Sequence, residues 1–275
     1  MNTKPTTISI LGCGYVGYPL AMSLLRQRWR VRGSTTQESK LADLLADGIE
    51  PYLLEFTPYL NGHGTHDFFD SRVVIINFPP GRKRKDVESF MQKAMNSLLS
   101  NLISGSVQKV IFISSTSVYS SGQVREEDAG EKPSGSPSGA ALLAAENLLR
   151  DATDFETTIL RFGGLYGYER SPGRFWSGRV LANPENAVNM LHQDDAVGVV
   201  MKILEKNCWG EIFNVCAEHH PSRAKFYSKV AYDQGIPPPE IQDGKSQSNK
   251  IVLSDKLRTL LGYTWIHPDP MLPAP

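Results

Sequence analysis

Residues 10–17 read ILGCGYVG, and Gly12, Gly14 and Gly17 have the spacing G-x-G-x-x-G. Each glycine in that spacing meets a separate demand. The first permits a tight turn, the second lets backbone approach a pyrophosphate, and the third lets the next helix pack close to the strand. A glycine triplet alone is weak evidence, so its setting decides the reading. The run TISIL (Thr7–Leu11) before it reads as a strand. YPLAMSLLRQR after it reads as a helix with Leu20, Leu24 and Leu25 on one face. The N-terminus of such a helix offers free N–H groups and a positive dipole end to an anion. The segment is therefore read as a dinucleotide-binding turn, with Gly12, Gly14, Tyr15, Val16 and Gly17 at the phosphates.

Outward from the turn, short apolar runs alternate with longer amphipathic stretches. WRVRGS, PYLLEF, RVVIIN (Arg72–Asn77), KVIFIS (Lys109–Ser114) and TTILRF (Thr157–Phe162) read as strands. SKLADLLADG, VESFMQKAMNSLLSNLI and GAALLAAENLLRDA read as helices. The alternation predicts an α/β fold, a Rossmann-like doubly wound parallel sheet, and the continuous apolar strands suit burial on both faces. After Phe162 the pattern loosens around Pro172, Gly173, Gly178 and Pro184. Helices are expected near 194–205, 222–234 and 254–261, with a strand at 211–215. The division expected is an NAD(P)-binding domain over 1–168 and a small C-terminal α/β substrate-binding annex over 169–275, with about 187–215 returning to the main sheet.

Composition narrows the class of partner. The 275 residues are 40% hydrophobic and 21% charged, ordinary for a globular chain. With 29 basic and 29 acidic residues, no chain-wide charge favours nucleic acid or an anionic membrane. The start, MNTKPTT, lacks the apolar core of a signal peptide, and no apolar run approaches the roughly 18 residues of a spanning helix. Cys13, Cys208 and Cys216 have neither metal-type spacing nor a disulfide framework. A soluble cytoplasmic protein without a metal is expected. HGTHDFFD (His63–Asp70) reads as a solvated loop.

The strand ends carry the remaining candidates. An acid at the end of the second strand would bind the adenosine ribose of NAD. Ser34, Thr35 and Thr36 stand there instead, which favours NADP over NAD. Arg32 either adds charge to that site or is an outward strand residue. Asn77, Phe78 and Pro79 are placed against the adenosine half of the cofactor, and Phe162 and Gly163 against the nicotinamide half. The basic run Gly81–Asp86 either faces phosphates or is a solvated loop.

Several further segments, in order, resemble the extended short-chain dehydrogenase/reductase superfamily, its nucleotide-sugar epimerase/dehydratase group. They are VIFISSTSVYS, LRFGGLYG (Leu160–Gly167), NMLHQDDAV (Asn189–Val197), GEIFNVCAEHHPSRAKF and the closing KLRTLLGY. The resemblance implies a nicotinamide cofactor and a Tyr-x-x-x-Lys pair on the helix after the fifth strand, where the lysine lowers the tyrosine's pKa. Here Ser138 and Leu142 occupy those places, and no tyrosine in the chain has a lysine four residues later. The chain thus resembles the atypical members, which keep the cofactor fold and lose the standard active site. RGSTTQESKLADLLADGIEPY and IINFPPG are similar to the NAD(P)-dependent epimerase/dehydratase-like branch.

On this resemblance Ser114 lies at the cofactor, Ser115 stands where the family has its catalytic serine or threonine, and Tyr119 is the nearest remaining phenol. The implied substrate is a nucleotide sugar or another small polar carbonyl or alcohol, handled by a monomer or homodimer. A non-catalytic NAD(P)-binding redox-sensing module is the alternative. His192 is expected to be structural, and Asp194 and Asp195 to cap the following helix.

Overall fold

In the computed structural model, residues 7–79, 84–131, 134–242 and 249–272 are described. The chain begins with β1 (Thr7–Leu11), α1 (Gly17–Arg26), β2 (Arg30–Thr35), α2 (Leu41–Ala46), β3 (Glu50–Phe56), β4 (Leu60–Gly62), α3 (Thr65–Phe69) and β5 (Val73–Ile76). It continues through α4 (Val87–Ser104), β6 (Lys109–Ser115), β7 (Gly122–Val124), α5 (Asp128–Glu131), α6 (Pro137–Asp151), β8 (Glu156–Phe162) and β9 (Gly164–Tyr166). The last part holds α7 (Gly173–Trp176), β10 (Val180–Leu181), β11 (Met190–His192), α8 (Gln193–Lys206), β12 (Ile212–Val215), α9 (Arg223–Asp233), β13 (Glu240–Ile241), β14 (Lys250–Val252) and α10 (Asp255–Thr259).

Eight strands form the main sheet in the order β12-β8-β6-β5-β1-β2-β3-β4. All run parallel except β4, which is antiparallel to β3. The chain winds from β1 out to β3, then crosses back to β5 on the other side of β1. The order reverses between β1 and β5, and in open α/β sheets that reversal creates a crevice at the strands' carboxyl ends.

Every residue of β5 is buried, as its run of β-branched side chains anticipates. One side of the sheet packs Val74, Ile76 and Phe112 against Met91 and Leu98 of α4 and Leu149 of α6. The other packs Ile8, Ile10 and Ile75 against Leu20 and Leu24 of α1 and Val199 and Ile203 of α8. Two helical layers around one parallel sheet define the doubly wound Rossmann-like fold.

Outside the sheet, three short parallel pairs join distant segments: β9 with β11, β7 with β14, and β10 with β13. Several details depart from the sequence reading. HGTHDFFD, expected to be a solvated loop, holds α3, because Phe68 and Phe69 are drawn into the core. The expected helix at 39–48 is a 3-10 turn, Glu38–Lys40, followed by the short α2. The edge strand β4 carries no periodic pattern and was not expected. Among the described residues, no helix is long and apolar enough to cross a membrane.

Candidate active site

The glycine turn leaves the end of β1 and enters α1. Gly12 has φ +107°, and a Cβ there would lie 2.3 Å from the Asn77 carbonyl oxygen. A Cβ on Gly17 would lie 2.1 Å from the Gly12 carbonyl oxygen. Both glycines are therefore required by the protein's own packing. Gly14 differs, because a Cβ there would meet nothing within 4 Å. No side chain caps α1, and its first turn carries no acid. An open glycine below an uncapped helix N-terminus fits a pyrophosphate.

Neighbouring groups hold the turn. The Asn77 side-chain amide donates to the Gly12 carbonyl at 3.1 Å. The Tyr15 hydroxyl donates to the Gly167 carbonyl at 2.8 Å, and Gln193 donates to the Tyr15 carbonyl. Val16 is buried in the α1 core.

Beside the turn runs a groove of about 220 Å³, lined among others by Gly14, Thr35, Thr36, Asn77, Phe78 and Pro79. The rings of Phe56 and Phe78 stack in its wall, 4.5 Å apart and inclined by 29°. Lys40, Glu55 and Phe56 also line it, and the sequence reading missed all three. Lys40 carries a signal in hindsight, as the cation in the loop following STTQ.

The hydroxyls of β2 are partly spoken for. Ser34 Oγ is buried and accepts from Gly12 N–H at 2.9 Å, and Thr35 Oγ1 accepts from Gln37 N–H at 3.1 Å. Only Thr36 of the three is exposed. Arg32 is corrected outright as a contributor of charge to this groove. Its guanidinium is buried, donates to the carbonyls of Asp67 and Asp70, and lies 3.5 Å from Glu50. In the basic run, Gly81–Lys83 lies outside the described residues. Arg84 there pairs with Asp86 and stacks on Phe90.

Farther along the crevice stands the carboxyl end of β6. Ser115 is half-buried, pairs in register with Phe162, and its Oγ accepts from Ser117 N–H at 3.2 Å. Ser114 and Tyr119 both belong to a buried polar network. Ser114 Oγ donates to Glu146, and Glu146 binds Arg161 at 2.6 Å. Arg161 also donates to the Tyr119 hydroxyl at 2.7 Å, which donates to Asn214 Oδ1 at 2.5 Å. Tyr119 is 2% exposed, and burial pushes its phenol up to about 12 against the opposing pull of Arg161. A phenol so buried and so engaged supports the fold.

The Phe162 side chain lies in the core layer on the α1 and α8 side. A Cβ on Gly163 would lie 2.7 Å from the Asn189 carbonyl oxygen, so this glycine admits the segment before β11. Ser138 is half-buried and Leu142 buried on α6.

His192, not Asp194 or Asp195, supplies the side-chain cap of α8, its Nδ1 accepting from Asp194 N–H at 3.1 Å. Asp195 is fully buried and accepts from Tyr263 Oη, Ile266 N–H and His267 N–H. The His192 and His267 rings stack 3.6 Å apart, and burial followed by the His267 charge lowers the His192 pKa. Ligand atoms of His192, Asp194 and His267 lie within 4.8 Å of one another, but hydrogen bonds within the cluster already engage them.

A parallel sheet reversing at β1 and β5, with a glycine turn and adjoining groove at the reversal, defines a nucleotide-binding α/β protein. Residues 8–216 match the NAD dependent epimerase/dehydratase family, and the chain belongs to it. Protein YeeZ of Escherichia coli K12 is 32% identical over 268 residues, covering 96% of this chain and 97% of its own. Among solved structures, UDP-glucuronic acid 4-epimerase from Bacillus cereus, in complex with UDP-glucuronic acid and NAD, superposes with TM-score 0.76 at 19% identity. That match covers 94% of each chain. A conserved protein of unknown function from Silicibacter pomeroyi has TM-score 0.74 at 20% identity, covering 97% of this chain and 95% of its own.

Proposed function

We propose that this chain binds NAD(P) across the glycine turn and acts as an epimerase/dehydratase-like oxidoreductase with a non-standard active site. Its substrate class is a nucleotide sugar or another small polar carbonyl or alcohol. The observation that carries the reading is Gly14: the turn packs tightly at Gly12 and Gly17, yet leaves open space at Gly14 below the uncapped end of α1. When bound, the nicotinamide would accept or return a hydride. The chain's own contribution is to hold the phosphates at Gly14, Tyr15 and Val16, flank the base with Phe56 and Phe78, and present Ser115 to a substrate oxygen. Support for a polar substrate comes from the sugar nucleotides bound by structurally similar enzymes.

NADP is favoured over NAD. Ser34 and Thr35 already serve backbone N–H groups, so the positive charge for a 2′-phosphate falls to Lys40, with Thr36 beside it. Calorimetric titration with NADPH, NADP, NADH and NAD tests the whole reading. Micromolar binding of one pair is expected. Lys40→Ala should weaken the phosphorylated pair about tenfold and leave the other pair unchanged. Absence of binding by all four removes the proposal.

The second reading, a redox-sensing module, is favoured by one observation: Ser138 and Leu142 stand where the family's proton-handling pair belongs, and Tyr119 is too buried to replace it. It requires different affinities for the oxidised and reduced cofactor, since a ligand without differential affinity shifts no equilibrium.

A further inference from the structure

A dinucleotide laid from Gly14 across the reversal point would carry its second half over the carboxyl ends of β5, β6 and β8. Sugar hydroxyls there need charged or polar partners from the protein. On α6, the place where the resemblance puts a lysine holds Leu142, which faces the core. A cation arrives instead from a distant part of the chain. Lys250 begins β14, which runs parallel to β7 with Lys250 in register with Gly122. Its Nζ donates to the Thr116 carbonyl at 2.9 Å and reaches the Tyr119 carbonyl at 3.4 Å. Thr116 directly follows Ser115.

The strand carrying this ammonium is well anchored. The Asn189 side chain donates to the Lys250 carbonyl at 2.9 Å and accepts from Val252 N–H at 2.8 Å. The Asn189 carbonyl in turn accepts from Gly164 N–H at 2.7 Å, just beyond the end of β8. Lys250 is thus tied to the ends of both β6 and β8. A second observation marks the same turn. Ser117 Oγ is buried and finds no hydrogen-bond partner among the described residues, an uncommon state for a buried hydroxyl.

We propose that Lys250, brought over the end of β6 by β14, is the cationic donor of the pocket's reaction end and binds vicinal sugar hydroxyls beside Ser115. The inference rests on the cofactor reading above. The hydroxyls belong either to the second ribose of the dinucleotide or to a substrate sugar, and the chemistry of recognition is the same for both.

The test observes the lysine directly. Lysines of the intact protein are labelled by reductive methylation with carbon-13 formaldehyde, and the Lys250 signal is assigned by its loss in Lys250→Arg. ADP, the four cofactor forms and UDP-glucose are then added. A shift of the Lys250 signal with a full dinucleotide but not with ADP supports the proposal and assigns the ribose. A shift only when UDP-glucose joins the bound dinucleotide supports it and assigns the substrate sugar. Lys250→Met should weaken the responding ligand about tenfold, leave ADP affinity unchanged, and be rescued by arginine. A lysine that merely braces the turn would show no ligand-dependent shift and no such split. Calorimetric binding of the dinucleotide by wild type with a silent Lys250 signal overturns this proposal alone. Failure of wild type to bind any dinucleotide overturns the cofactor reading, and this proposal with it.

Discussion

A methyl group added at each glycine of the turn has three different consequences. At Gly17 it would sit 2.1 Å from the Gly12 carbonyl oxygen, closer than any real contact allows. Gly17→Ala should therefore destabilise the protein by about 1–3 kcal/mol, the usual range for overpacking, seen as a lower midpoint in urea. Gly12→Ala adds backbone strain at φ +107° to its clash and should cost at least as much. At Gly14 the side chain enters open space. Gly14→Val should melt close to the wild type but lose more than about tenfold in dinucleotide affinity, because only the ligand's room is filled. Equal losses of stability at all three positions would contradict this division of labour. At this scale the motif was legible, since spacing alone assigns three roles and the geometry bears out those of Gly12 and Gly17. The jobs of Ser34 and Arg32 were not legible. A hydroxyl or guanidinium does not reveal which backbone carbonyl or N–H it will meet when the partner lies tens of residues away.

Between elements, the ion pair of Glu146 on α6 and Arg161 on β8 joins the helix layer to the sheet. Glu146 is 1% and Arg161 2% exposed. Glu146→Ala should cost about 3–5 kcal/mol, because it leaves a buried guanidinium without its counter-charge. Tyr119→Phe removes one buried hydroxyl from the same network and should cost about 1–3 kcal/mol. Urea unfolding of both variants checks the order of the two losses. The β-branched run of β5 and the long periodic α4 could be read from the sequence because such signals act locally. The three-residue strands β7, β9, β11 and β14 could not. Each exists because a distant partner supplies its hydrogen bonds, and so few residues carry no periodic signal. The Lys250 contact was hidden for the same reason, as was the His192 cap of α8.

The whole molecule should lose stability in strong alkali. Burial pushes the phenols of Tyr15, Tyr52 and Tyr119 up to about 12 from the ordinary 10.0, and Tyr166 and Tyr263 are raised in the same direction. The folded state holds these protons more tightly than the unfolded chain. Their contribution is complete below pH 10 and is lost as the pH rises from about 10 through 12. Burial also pushes the thiols of Cys13 and Cys216 up to about 12 from 9.0, so urea midpoints should begin to fall above about pH 9 and fall more steeply above pH 10. The lowered pKa of His192 has the opposite sense, so its contribution is present above about 6.5 and is lost on acidification.

The glycine turn is also tied, through α8, to the C-terminal segment. Asp195 and Asp194 bind Tyr263, Ile266 and His267 at the start of α8, and Gln193 of that helix donates to Tyr15 in the glycine turn. Truncation after Gly262 should therefore lower the melting temperature and weaken the dinucleotide together.

The pairing of β7 with β14 also dictates an order of assembly. The groove wall from β1 to Pro79 comes from the first third of the chain, but Gly167 and Gln193 must join it to hold Tyr15. The other end waits for a strand from its last tenth, which must find a partner lying before the middle. Closing so long a loop is the slow kind of step. During synthesis neither end of the crevice can be finished early: the glycine turn waits for α8 and the segment from Tyr263 to His267 that holds it, and the end of β6 waits for β14.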